Sequence, residues 1–150
     1  MKNVPKSERK HIVFTGKRNA GKSSLINAFT NQELAIVSET PGTTTDPVKK
    51  AMELLPYGPV VMVDTAGIDD VGELGEKRIS KTLKAISEAD FVILVIDGAD
   101  PLDEKETELI AHLRILEIPF AVVINKIDLG LNPVLKENLD NEVDSYFEIS

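Results

Sequence analysis

One short segment near the start of the chain has the residue types and the spacing of a phosphate-binding site. It runs from Gly16 to Ser24, reads Gly-Lys-Arg-Asn-Ala-Gly-Lys-Ser-Ser and matches the pattern G-x-x-x-x-G-K-[ST]. In such a segment the backbone N–H groups and the start of the next helix point at an anion. Lys22 can reach the β- and γ-phosphates of a nucleotide, and the Ser23 hydroxyl can bind Mg²⁺. The alternative is a glycine-containing turn of an ordinary α/β protein.

A second candidate is the segment Asp64-Thr65-Ala66-Gly67, which directly follows the apolar run Val60–Val63. A carboxylate at the carboxyl end of a buried strand, beside a phosphate-binding loop, can hold Mg²⁺ through its water shell. The Gly67 N–H could bond a γ-phosphate. Because Asp and Gly both favour turns, the alternative is a strand that simply ends in a turn.

A third candidate is Asn125-Lys126-Ile127-Asp128, which follows another apolar run and matches N-K-x-D. The Asp128 carboxylate can accept hydrogen bonds from the ring N–H and the exocyclic amine of guanine together, a match that adenine cannot offer. The Lys126 side chain can cover the face of the base, and Asn125 can tie this loop to the phosphate loop. The alternative is a polar turn, but the three motifs occur in order and together predict a guanine-nucleotide site.

The elements that position these motifs are short apolar runs, rich in Val and Ile and almost unbroken by polar residues. The runs are Ile12–Phe14, Val60–Val63, Phe91–Ile96 and Phe120–Ile124. This pattern is typical of strands buried on both faces, so the sequence predicts an α/β fold with a parallel sheet covered by helices. The more polar run Lys49–Leu55 is predicted to be an edge strand. A hairpin turn at Tyr57-Gly58-Pro59 would join it to Val60–Val63. Tyr146–Ile149 is predicted to be the last strand.

Amphipathic segments alternate with these runs. Helices are predicted over Lys22–Thr30, Glu76–Glu88 and Asp103–Leu116, with a short one after Pro133. The start of the third is assigned to Asp100 as N-cap and Pro101 as first helical residue. The longer irregular stretches, Gln32–Pro47 and Thr65–Gly75, are expected to be functional loops, because long loops in a compact domain usually are.

Composition limits the classes of protein that fit. The chain has 150 residues, enough for one domain, and no Cys, which excludes disulfides and thiolate metal sites within it. Its net charge of −8 makes nucleic acid an unlikely partner, although a local basic patch remains open. No apolar run approaches the length of a membrane span. Residues 1–10 are polar and basic, so they are expected to form a flexible leader rather than a secretory signal, and the protein is expected to be cytoplasmic.

With these motifs in place, the chain resembles the P-loop GTPases, and within them the branch that includes Era and TrmE (MnmE). Three features carry the resemblance: Asn19 inside the phosphate loop, the stretch Pro41-Gly42-Thr43-Thr44-Thr45-Asp46 after Val37-Ser38, and Ile68 at the position where Ras-like proteins have a catalytic Gln. The resemblance implies a three-layer Ras-like fold. Its six-stranded sheet would be mostly parallel with one antiparallel edge strand.

A narrower resemblance is to the GTPase domain of HydF, the scaffold of [FeFe]-hydrogenase maturation. It rests on the phosphate loop, on Thr-Pro-Gly-Thr-Thr-Thr-Asp-Pro-Val, and on Lys50-Ala51-Met52-Glu53-Leu54 that follows. Residues 11–150 would then be a GTP-binding domain from a longer protein, with its last helix truncated and Ser150 as the first residue of the family's S-A-K motif. Hydrogenase maturation proteins would be partners.

The resemblance also implies roles for individual residues. GTP or GDP would be bound with Mg²⁺, coordinated by Ser23, Thr44 and Asp64, with Thr43 as the fallback for Thr44, and K⁺ would be bound by Asn19. The catalytic group would comprise Lys22, Asn19, Thr44 and Gly67. The nucleotide-contacting residues would be Asn19, Ala20, Gly21, Lys22, Ser23, Ser24, Asp64, Gly67, Asn125, Lys126, Asp128 and Ser150.

Because Ile68 cannot orient a water molecule, that task is assigned to one of Asp69, Asp70, Glu73 or Glu76, and turnover is expected to be slow without K⁺ or a partner. A homodimer through the switch loops or the uncovered sheet face is expected. Two further functions stay open: a nucleotide sensor with incidental hydrolysis, and a GTPase of tRNA modification or ribosome assembly. ATP is disfavoured by Asp128.

Overall fold

The structure, a computed structural model, describes most of the chain. The described ranges are 9–17, 20–30, 47–54, 58–65, 68, 72–126, 130–143 and 146–149. The strands are β1 (Lys10–Gly16), β2 (Val48–Leu54), β3 (Gly58–Asp64), β4 (Phe91–Asp97), β5 (Phe120–Asn125) and β6 (Tyr146–Glu148). The helices are α1 (Lys22–Thr30), α2 (Gly72–Ser87), α3 (Glu104–Ile115) and α4 (Pro133–Glu142).

All six strands belong to one sheet in the order β2-β3-β1-β4-β5-β6. β2 runs antiparallel to β3 at one edge, and the remaining neighbours are parallel. The predicted α/β fold, with a mostly parallel six-stranded sheet and one antiparallel edge strand, is therefore confirmed. Of the predicted hairpin turn Tyr57-Gly58-Pro59, Tyr57 lies outside the described ranges, while Gly58 and Pro59 belong to β3. Residues 1–8 of the predicted leader also lie outside the described ranges.

Helices cover both faces because parallel neighbours must be joined by crossovers that pass over the sheet. Alternate strand residues therefore enter two apolar cores. On one face Val63, Leu94 and Ile124 pack with residues of α2, α3 and α4. On the other face Phe14 and Met62 pack with residues of α1. Because the parallel strands are buried on both faces, they are apolar at nearly every position, and this is why the apolar runs of the sequence predict them.

The start of α3 differs from the prediction. The N-cap is Asp103, whose side chain accepts the Glu106 N–H at 2.9 Å, while the Glu106 side chain accepts the Asp103 N–H at 3.1 Å. This reciprocal capping box satisfies two N–H groups that the helix itself cannot pair. The assignment of Asp100 as N-cap and Pro101 as first helical residue was therefore wrong.

Helix α2 also begins earlier than predicted, at Gly72 rather than Glu76. The apolar periodicity used for the prediction does not cover this first turn, so it could not reveal the extension.

Within the described ranges, the helices lack the combination of length and apolar character needed to cross a membrane.

Candidate nucleotide-binding site

The sheet topology brings the three sequence motifs to one edge. β3, β1, β4 and β5 are successive parallel neighbours, so their carboxyl ends lie side by side. These ends are Asp64, Gly16, Asp97 and Asn125 respectively. In open α/β sheets, ligands bind in the crevice beyond the carboxyl ends of the strands. The surface formed by the carboxyl ends of these four strands is therefore the candidate functional site.

The phosphate-loop segment leaves β1 at Gly16, and this position needs glycine. Its φ is +148°, and a Cβ added here would lie 2.3 Å from the carbonyl oxygen of Val95 in β4. The Gly16 carbonyl accepts the N–H of Ile68 at 3.1 Å. The Thr65 hydroxyl donates to the Phe14 carbonyl at 2.8 Å. The start of the loop and the segment after β3 are thus fastened to each other.

Helix α1 begins at Lys22, so the predicted phosphate-binding residues occupy its first turn. The Leu25 N–H donates to the Gly21 carbonyl at 3.1 Å, which closes that turn. Ser23 and Ser24 are exposed, and the first turn contains no acidic residue. The positive end of the helix dipole therefore has no competing carboxylate in its own turn and suits an anionic ligand.

Lys22 and Asp64 form the charged centre of the site. Lys22 is only 8% exposed. Burial raises the pKa of Asp64 to about 6, although the Lys22 charge and the Thr65 N–H act to lower it. Such a carboxylate, at the end of a buried strand and beside a lysine, changes its charge with a modest change of surroundings.

The Asp64 carboxylate also fits the predicted Mg²⁺ site. Its Oδ1 atom is buried and accepts no hydrogen bond from the described part of the protein. Buried acceptors are normally paired, so an unpaired one indicates a partner outside the protein, such as water or an ion. Carboxylate and hydroxyl oxygens are ligands that Mg²⁺ prefers. Asp64 and Ser23 would hold the ion together with nucleotide phosphates.

A pH-dependent stability follows from the raised pKa of Asp64. Because the folded pKa lies above the value of 3.8 for the free residue, the contribution of Asp64 to stability is present below pH 4 and is lost as pH rises through about 6. We expect Asp64→Asn to raise the unfolding free energy of the nucleotide-free protein at pH 7.5, by about 3 kcal/mol at most, and to change it little at pH 4. Urea denaturation of both proteins at the two pH values measures this. An equal effect at both would contradict the assignment.

The predicted base motif is tied to the phosphate loop through Asn125. Its Nδ2 donates to the Ala20 carbonyl at 3.0 Å, and its Oδ1 accepts the Lys126 N–H at 2.9 Å. Gly21, with a φ of +91°, passes so close that an added Cβ would lie 2.2 Å from Asn125 Nδ2. The contact proposed from the sequence between Asn125 and the phosphate loop is therefore present.

Asp97 is a site residue that sequence reasoning missed. Its Oδ2 lies 3.2 Å from Lys126 Nζ, and both side chains are partly exposed. Lys126 itself has a φ of +64°, which is unusual for a residue with a side chain. The pair holds the lysine at the edge where a base would lie. One signal was available, because Asp97 ends a buried strand just as Asp64 does.

Several predicted residues lie outside the described ranges, and their roles stay predictions. They are Asn19, Thr43, Thr44, Gly67, Asp69, Asp70, Asp128 and Ser150. Glu73 lies in the first turn of α2, where only the backbone is described, and Glu76 is an exposed residue of the same helix.

The chain is similar in sequence to known GTPases. A family model described as "50S ribosome-binding GTPase" matches residues 11–126. Among curated relatives, the tRNA modification GTPase MnmE of Nitrosomonas eutropha is 39% identical over 120 residues, which is 79% of this chain and 26% of that protein. The GTPase Der of Nitratiruptor sp. is 42% identical over 132 residues, which is 88% of this chain and 28% of that protein.

Solved structures show the same relationship. Era of Aquifex aeolicus, bound to GDP·AlF4⁻, aligns with a TM-score of 0.76 and 27% identity over 93% of this chain and 50% of that one. An Era complex with MgGDPNP and a segment of 16S ribosomal RNA aligns with a TM-score of 0.75 and 26% identity, over 94% of this chain and 50% of that one.

The chain spans about a quarter of the length of the curated relatives it matches. The family match covers most of the chain, and it runs from the second residue of β1 through β5, with the phosphate loop and Asn125. The chain therefore belongs to the 50S ribosome-binding GTPase family, as a P-loop GTPase domain of the Era, MnmE and Der type.

Proposed function

We propose that this domain binds GTP with Mg²⁺ and hydrolyses it slowly, with stimulation by K⁺, as a molecular switch. The observation that carries the proposal is the hydrogen bond from Asn125 Nδ2 to the Ala20 carbonyl. It joins the segment predicted to read guanine to the segment predicted to cradle phosphates. One nucleotide would therefore contact both, with its base beside Lys126 and Asp128 and its phosphates at the start of α1.

The phosphate end of the site would supply fixed positive charge. The N–H groups from Asn19 to Ser24 would cradle the phosphates, and Lys22 would neutralise charge that develops between the β- and γ-phosphates. Mg²⁺ would be held by Ser23, Thr44 and Asp64. Gly67 would donate its N–H to the γ-phosphate, and Ser150 would contribute to the guanine contact.

Slow, K⁺-stimulated turnover is proposed because of Ile68 and Asn19. Ile68 is apolar and only 7% exposed, so its side chain cannot orient the attacking water. A K⁺ ion bound by Asn19 would place a second cation at the phosphates, where a fixed charge lowers the barrier. An acidic residue of the segment from Asp69 to Glu76 would position the water.

The test is phosphate release from GTP, with ATP as the control nucleotide, in buffers that differ only in KCl or NaCl. We expect GTP to turn over faster in KCl, ATP to remain uncleaved, and Asn19→Ala to remove the difference between the salts. Equal GTP turnover in both salts would contradict the K⁺ site. Binding of labelled GDP without any turnover would instead support a sensor module.

For the cellular process we propose assembly of the metal cluster of [FeFe]-hydrogenase, with hydrogenase maturation proteins as partners. The support is the sequence resemblance to the HydF GTPase domain in the phosphate loop, in residues 40–48 and in residues 50–54. A homodimer would form through the switch loops, which it would order, or through the uncovered sheet face. Phe147 in the edge strand β6, which is 60% exposed, would favour such association.

A tRNA-modification or ribosome-assembly role is the second candidate, because the relatives named above are a tRNA modification GTPase and Der. A local feature also favours it. Lys49, Lys81 and Lys84, with the single acidic residue Glu88, line a groove of about 250 Å³ beside β2 and α2. The groove is a locally basic patch on a chain of net charge −8. Such a patch suits phosphate backbones.

Turnover in the presence of partners separates the two processes. Stimulation by transfer or ribosomal RNA that is lost in Lys81→Ala/Lys84→Ala would favour the RNA process. Stimulation by hydrogenase maturation proteins, with no effect of RNA, would favour cluster assembly. Replacing exposed Lys136 of α4 by Ala is the matched control for loss of positive charge.

A further inference from the structure

Lys17, the residue that follows Gly16, connects the phosphate loop to α3. Its Nζ lies 2.5 Å from Asp103 Oδ2 and 3.9 Å from Glu106 Oε1. Its carbonyl accepts the Ala20 N–H at 3.1 Å. The residue at the base of the phosphate loop is thus also the cation of an ionic cluster with the start of α3, the helix that follows β4 in the chain.

The cluster is built into the capping box of α3. Asp103 uses Oδ1 to accept the Glu106 N–H and Oδ2 to face Lys17. Although burial acts to raise it, the pKa of Asp103 is held below its usual range by hydrogen bonds from Lys17 and from backbone N–H groups. Asp103 therefore carries a full negative charge toward the loop while it caps the helix.

The Glu106 end of the ionic cluster is shielded from solvent. Glu106 is 2% exposed, and it is the one acidic residue buried among the described residues. A buried carboxylate is costly unless it is paired and hydrogen-bonded. Burial raises the pKa of Glu106 to about 7, although its partners, the Asp103 N–H and the nearby Lys17 ammonium, act to lower it. Movement of Lys17 would leave a buried acid beside Asp103 without its nearest cation.

We propose that Lys17, Asp103 and Glu106 form a brace that positions the phosphate loop and slows nucleotide release. The three side chains are positioning residues, and none is assigned a contact with the nucleotide. The brace makes the start of α3, a segment outside the nucleotide-binding motifs, part of the machinery that retains GDP. This inference rests on the proposed binding of guanine nucleotide.

The test uses substitutions that remove charge and keep the helix cap. Asp103→Asn retains a good N-cap, and Glu106→Gln retains the capping-box acceptor, while Lys17→Met removes the cation. We expect each of Lys17→Met and Asp103→Asn to speed release of fluorescently labelled GDP about tenfold, as for the loss of one charge-assisted contact. Lys17→Arg should restore most of the retention, and the double variant Lys17→Met/Asp103→Asn should release GDP no faster than either single variant.

The controls separate a brace from general damage. Lys105→Met removes an exposed cation from the same turn of α3 and should leave both GDP release and the urea midpoint unchanged. The urea midpoint of Lys17→Met should fall, because buried Glu106 loses its nearest cation, so release is compared among all variants well below their unfolding transitions. Unchanged release in Lys17→Met and Asp103→Asn, or multiplied effects in the double variant, would overturn the brace.

A wild type that does not bind GDP would refute the proposed function instead. Amide hydrogen exchange at Ala20 and Leu25 would then decide on the brace. Faster exchange in Lys17→Met than in Lys105→Met would support it, and equal exchange would overturn it.

Discussion

Replacing Lys22 with methionine is expected to lower kcat for GTP hydrolysis by about 10²–10³-fold, as for the loss of one preorganised charge at a reacting phosphate. The reason is twofold. The buried ammonium no longer faces the phosphates, and Asp64 loses the charge that opposes the effect of its burial. The pKa of Asp64 should then rise above about 6, so that the Mg²⁺-binding form is less populated near neutral pH. Part of the defect should therefore be recovered at pH 8.5.

Phosphate release measured from pH 6.5 to 8.5 checks both parts of this expectation. Lys136→Met, which removes an exposed lysine from α4, is the matched control and should behave as wild type. A Lys22→Met protein with wild-type kcat would remove Lys22 from the catalytic group. A defect that does not change with pH would show that Lys22→Met does not act through the pKa of Asp64.

Replacing Asn125 with alanine is expected to weaken GDP binding by about 10- to 100-fold, which corresponds to about 1.4–2.8 kcal/mol. The substitution removes the Nδ2 bond to the Ala20 carbonyl and the Oδ1 bond from the Lys126 N–H. Each hydrogen bond contributes about 1 kcal/mol net, and more where a partner is left unsatisfied. The base loop and the phosphate loop should then hold the nucleotide independently.

Titration with labelled GDP measures this effect, and Asn141→Ala at an exposed position of α4 is the control. Gly21 offers a second test, because its Cβ position lies against Asn125 Nδ2. Gly21→Ala should be less damaging in the Asn125→Ala background than in wild type, although the strain at φ +91° remains. Additive losses of affinity would show that the two loops are not coupled at this contact.

The strands were the most predictable part of the fold. β1, β3, β4 and β5 are buried on both faces, so each shows as a short, nearly continuous apolar run. The exposed lysines of β2 mark it as an edge strand in the same way. The three site motifs were predictable too, because each depends on neighbouring residues and follows a strand.

Helix starts were harder to predict, because several residues near one end can serve as a cap. Asp100-Pro101 and Asp103 with Glu106 are both plausible signals a few residues apart. The second prevails in the structure through a reciprocal pair of hydrogen bonds. At α2 the unfavourable helix propensity of Gly72 gave no local sign that the helix would include it.

Long-range ion pairs could not be predicted from local patterns. Lys126 meets Asp97 because β4 and β5 are neighbours, and Lys17 meets Asp103 because α3 follows β4. Each side chain alone resembles an ordinary surface charge. Only the strand order makes them neighbours, and that order is a property of the assembled sheet rather than of any segment.

The bond between Asn125 and Ala20 joins residues 105 positions apart, and this separation has a consequence for how the protein is made. A chain synthesised from its N-terminus exposes the phosphate loop long before β5 exists to hold it, and β1 itself pairs with β3 and β4. Such distant contacts form late because a long loop must close first. We therefore expect nascent chains that end before β5 not to capture GDP. The nucleotide would then stabilise the domain by binding only after it has folded. It would not bind to the incomplete chain on the ribosome and direct its folding.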